Sequence, residues 1–113
     1  MSKSLNEAIG VNCYNIDQKT GQELTHSEVY GRAIALLGGA ETVVKVIPLS
    51  LETLRKQFAR DRYLNTIPLQ RWDNWGYDIG ERLKVRGVHA TPCELVCILK
   101  EAVKQLAERG KQA

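Results

Sequence analysis

Five stretches of this chain place apolar residues at helical spacing, and caps, prolines and glycines mark the boundaries between them. The first is announced twice over. Thr25 and Glu28 stand in the T-x-x-E order of a capping box, in which each side chain satisfies the other residue's backbone N–H, and Leu24 and Val29 stand where a hydrophobic staple would close. Val29, Ala33, Leu36 and Leu37 carry that helix to the Gly38-Gly39 pair, where a left-handed C-cap is available. The last stretch opens the same way, with Thr91 as N-cap, Pro92 in the first turn and Glu94 closing the box. Leu95, Val96, Leu99, Ala102, Val103, Leu106 and Ala107 then form a broad apolar stripe, and Gly110 ends the predicted helix over 92–109.

Between these two lies the most informative segment, AETVVKVIPLSLETLRKQFARDR at residues 40–62. Val43, Val44 and Ile47 share one helical face, and Pro48 biases Ile47 out of the helical region, ending the first short helix there. Ser50 caps the next. Leu54 and Phe58 give that helix its apolar face, leaving Thr53, Lys56, Gln57, Arg60 and Tyr63 on or near the opposite one. A further helix is predicted from about Pro68, with Leu69, Trp72, Gly76, Ile79 and Leu83 in register; Gly76 and Gly80 weaken it by about 1 kcal/mol each relative to Ala. Within it Trp72 is assigned to the core and Trp75 to the rim. Residues 1–24 show no helical period. Val11, Cys13 and Ile16 suggest a short strand, and Asp17 to Gly21 a turn. The expected architecture is all-α: a bundle of about five helices over 25–110 containing a helix-turn-helix, preceded by an irregular or short β arm at 1–24.

The segment from Thr42 to Phe58 resembles the helix-turn-helix of the phage lambda Cro family. Val44 falls at that family's small buried position, Ile47 and Leu49 flank the turn, and Leu54 and Phe58 pack the recognition helix down. Pro48 stands where the family usually has Gly, and Val44 is bulkier than the usual Ala. The resemblance implies Leu51, Glu52, Arg55 and Lys56 as groove-facing residues, whereas helical periodicity offers Thr53, Lys56, Gln57 and Arg60.

Charge sharpens this picture. Between Lys45 and Arg62, the cations Lys45, Arg55, Lys56, Arg60 and Arg62 stand against only Glu52 and Asp61, so this stretch alone carries a charge equal to the chain's whole net charge of +3. A local cationic face of this kind suits a phosphate backbone. The expected partner is double-stranded DNA, held through Lys45, Ser50, Thr53, Arg55, Lys56, Gln57, Arg60 and Arg62, by a small repressor-like regulator of the phage or mobile-element type. Leu95, Leu99, Val103 and Leu106 are expected at a homodimer seam that would present two recognition helices to adjacent major grooves. The alternative is a protein-interaction module, such as a phage-encoded inhibitor of a host nucleic-acid-binding protein. Such inhibitors often imitate DNA with an acidic face, and the face here is basic.

Other classes find less support. No run approaches the roughly 18 apolar residues of a membrane span, and the N-terminal residues lack a signal-peptide core, so a cytoplasmic protein is expected. Cys13, Cys93 and Cys97 are odd in number, with Cys93 and Cys97 one helical turn apart, and are expected as reduced core thiols. His89, Cys93 and Cys97 would supply three zinc ligands where a structural site takes four. The same residues as a Cys-His nucleophile pair would need an activated thiolate. No P-loop or dinucleotide fingerprint occurs. No catalysis, cofactor, metal or small-molecule ligand is therefore expected.

Overall fold

Both predicted capping boxes close. Thr25 N–H donates to Glu28 Oε1 at 3.1 Å while Glu28 N–H donates to Thr25 Oγ1 at 3.2 Å, and Thr91 and Glu94 exchange the corresponding bonds at 2.8 and 3.2 Å. These boxes start the second and last of six helices in the computed structural model, which describes residues 2–111. The helices are α1 (Leu5–Ile9), α2 (His26–Leu36), α3 (Ala40–Val44), α4 (Leu51–Arg60), α5 (Leu69–Val85) and α6 (Pro92–Lys111). Two short strands, β1 (Lys3–Ser4) and β2 (Val88–His89), pair in parallel, Lys3 opposite Val88 and Ser4 opposite His89.

The arm at 1–24 does not stand apart. Ser4 caps α1 by accepting the Glu7 N–H at 3.3 Å, Gly10 ends that helix at φ 74°, and Leu5, Ile9, Val11 and Leu24 join the same core as every other element. Asp17 completes the attachment. Its carboxylate takes the Lys19 and Thr20 N–H groups in the expected turn and forms an ion pair with Arg32, which also donates to the Ile9 carbonyl at 3.0 Å.

Helix α6 runs through the middle of the molecule, with α2, α3, α4 and α5 all packed on it. Gly76 and Gly80 explain how α5 gets so near: a Cβ at Gly76 would stand 3.2 Å from Leu95 Cβ, and one at Gly80 3.3 Å from Leu95 Cδ1. The propensity they sacrifice is offset by close packing of two long helices. Leu69, expected on the apolar face of α5, is instead 65% exposed at the first position of that helix. Trp72 is buried and Trp75 half-buried, their rings edge to face at 5.1 Å. Gly110 does not stop α6, which continues to Lys111.

The first helix of the expected pair also ends early. Regular α3 stops at Val44, and the chain winds on through tighter turns in which Val46 and Ile47 donate to the carbonyls three residues back, at 3.5 and 3.0 Å. Ile47 is still buried, as the apolar spacing requires. The principal packing partner of both α3 and α4 is α6 rather than one another, and Arg82 of α5 holds α3 by donating to the Thr42 carbonyl at 3.0 Å.

Candidate nucleic-acid interface and the adjoining cleft

The rotation of α4 about its axis decides which side chains reach solvent. Ser50 fixes its start: Ser50 Oγ accepts the Thr53 N–H at 3.1 Å and lies 2.8 Å from Thr53 Oγ1. Leu54 and Phe58 bury against the core, which leaves Glu52, Thr53, Arg55, Lys56, Ala59 and Arg60 exposed and Leu51 and Gln57 half-buried on the flanks. Neither expected groove-facing set survives whole. From the Cro-like set, Leu51 is partly covered and Arg55 is occupied, its Nε and Nη2 both donating to the Leu106 carbonyl at 3.4 Å. In the periodicity set, Gln57 is turned aside and donates to Thr66 Oγ1 at 3.0 Å. Thr53, Lys56 and Arg60 remain on one open face.

That face is lightly neutralised. Lys56 Nζ lies 3.3 Å from Glu52 Oε1, but the two side chains are 71% and 79% exposed, and an exposed pair one turn apart contributes little and exchanges easily. Lys45 and Arg60 are exposed and form no ion pair among the described residues. The second anion of the segment points away: Asp61 accepts the Thr66 N–H at 2.8 Å and the Tyr63 N–H at 3.2 Å in the loop after α4, bonds that hold its carboxyl below the ordinary carboxylate value. Arg62, assigned with the others, instead lies at the rim of a cleft beside the helix.

This cleft, of about 770 Å³, has the polar stripe of α6 as its floor, from Cys97 through Lys100, Glu101 and Lys104 to Glu108. One wall is the start of α2, with His26, Ser27 and Tyr30. The other is Phe58 with Arg62, Tyr63 and Asn65. Ser27 Oγ donates to Glu101 Oε1 at 3.0 Å and accepts from Lys104 Nζ at 2.9 Å. Lys100 Nζ sits 5.6 Å above the Trp72 ring. Burial, aided by the neighbouring Cys97 thiol, pushes the Tyr30 hydroxyl up to about 12. The sequence gives no single motif for this cleft because its walls come from segments about 30 residues apart.

The expected dimer seam is corrected by burial. Leu99, Val103 and Leu106 are interior side chains, covered by this chain's own helices, and Leu95 is half-buried against the two glycines of α5. The breadth of the α6 stripe reflects four helices packing on it. The thiols are corrected too: Cys13 and Cys93 are exposed and Cys97 half-buried. His89 Nδ1 lies 3.1 Å from Ser2 Oγ, and among the described residues no three His, Cys, Asp or Glu side chains gather as a metal site. Nor, among them, is any helix long and apolar enough to cross a membrane. No protein-family model, no curated protein and no solved structure matches this chain.

Proposed function

We propose that this protein binds double-stranded DNA through the outward face of α4 and acts as a small sequence-specific transcriptional regulator. The observation that carries the reading is the rotation of α4. Leu54 and Phe58 lock it onto α6, so that Thr53, Lys56 and Arg60 lie together on an exposed helical face, with Lys45 following the preceding short helix. A helix held rigidly from behind and bearing cations and a hydroxyl in front has the form that enters a major groove. Lys45 and Arg60 serve the phosphates, Lys56 and Thr53 the base edges, and Ser50 presents the start of the helix. Arg55 and Gln57 act as braces. Pairing of two copies across adjacent half-sites falls to side chains outside the buried α6 stripe, of which Leu69, Tyr77 and Val85 on α5 are large, apolar and exposed.

Anisotropy of a labelled random duplex, titrated with protein over a range of salt, tests the reading. Each neutralised phosphate contributes about 0.9 to the slope of log affinity against log salt, so two or three contacts give a slope of about −2 to −3. Absence of salt-dependent binding would refute the proposal.

A further inference from the structure

We infer that the cleft between α2, α4 and α6 is a binding site for a nucleotide, a planar base carrying a phosphate. Two features of its lining carry this. The first is charge: Arg62, Lys100 and Lys104 converge on it from two elements, and Arg62 and Lys100 have no hydrogen-bond or ion-pair partner among the described residues. The three cations face two carboxylates, Glu101, which accepts the Ser27 hydroxyl, and Glu108, so the cations outnumber the anions of the lining by one. Lys104, bonded to that hydroxyl, keeps two further protons for an anion. Lys100 is steadied by the indole below it, so less freedom is lost when it takes a phosphate oxygen.

The second feature is the flat apolar surface. Tyr30, Phe58 and Tyr63 line the cleft from opposite sides, and Tyr63 is 76% exposed, a ring with no partner in its own chain's core. A volume of about 770 Å³ admits one nucleotide. The same chemistry is offered by a free mononucleotide and by an unpaired nucleotide in a strand. This site shares no side chain with the α4 face, so either can fail without the other.

The test is calorimetric titration of the whole chain with adenosine monophosphate, adenosine, inorganic phosphate and a short oligodeoxyadenylate strand. The monophosphate is expected to bind more tightly than adenosine or phosphate alone, because only it engages rings and cations together. Lys100→Met with Lys104→Met should weaken it about tenfold or more, while duplex affinity, read separately, stays unchanged. Tyr63→Ala, at an exposed position that leaves the fold intact, should weaken the monophosphate about fivefold or more and leave phosphate alone unaffected. Tighter binding of the strand would identify an unpaired nucleotide as the natural occupant, and tighter binding of the monophosphate a free one; both support the site. Monophosphate binding no better than phosphate, or unchanged in the lysine and Tyr63 variants, would overturn it.

Discussion

Arg55 reaches across from α4 to α6 and donates from Nε and Nη2 to the Leu106 carbonyl, both at 3.4 Å. A cation that read as a phosphate ligand in the sequence is thus part of the joint that holds α4 in place. Arg55→Ala should cost about 1 kcal/mol of stability, since the bonds are long and the group part-exposed, and should leave the salt dependence of DNA binding unchanged. Denaturant unfolding beside an anisotropy titration separates the two effects. A loss of about one unit of salt slope would return Arg55 to the phosphates.

Asp17 anchors residues 1–24 to α2 through Arg32, and this guanidinium, with the Thr20 and Lys19 N–H groups, holds its carboxyl well below its ordinary value of 3.8. A carboxylate depressed on folding contributes stability that is fully present above the unfolded value and is lost as pH falls through the folded one. Thermal melts between about pH 5 and about pH 2 should show wild type losing stability in that window. Asp17→Asn should be less stable at neutral pH and lose less on acidification. Parallel pH curves for the two would show that the pair does not support the fold.

Leu99 tests the central place of α6. It is completely buried, so Leu99→Glu should leave an unfolded chain, because an unpaired carboxylate in the core costs several kcal/mol. A folded, soluble monomer of that variant, seen by circular dichroism and light scattering, would instead restore Leu99 to an interface between copies.

What the sequence reveals and what it hides follows from the range of the forces involved. The capping boxes at Thr25 and Thr91 are local, three residues from donor to acceptor, and both were legible. So was the depth of Trp72. The small helix α1 carried the same kind of signal in Ser4, Glu7, Leu5, Ile9 and Gly10, but five residues make too short a period to stand out. The pairing of Lys3 with Val88 left no local trace at all. The α6 stripe showed that a wide apolar surface must be covered; which helices cover it is a matter of tertiary packing. Along α4, spacing put Lys56 and Arg60 on the exposed side of the helix, where they lie, whereas the partners that engage Arg55 and Gln57, Leu106 and Thr66, lie in other segments.

The role of the outward face of α4 is tested most directly by duplex-DNA affinity for Lys56→Ala and Arg60→Ala, on a selected preferred sequence and a random one. Both side chains lie off the core, so both variants should keep the wild-type fold and melting behaviour. Lys56→Ala is expected to lose about tenfold or more on the preferred sequence and to narrow the gap to random DNA, as loss of a base contact worth about 1 to 3 kcal/mol requires. Arg60→Ala is expected to weaken both sequences alike and to lower the salt slope by about one unit. Folded variants that bind both sequences as wild type does, or a wild type that binds neither, would rule out DNA binding by this face.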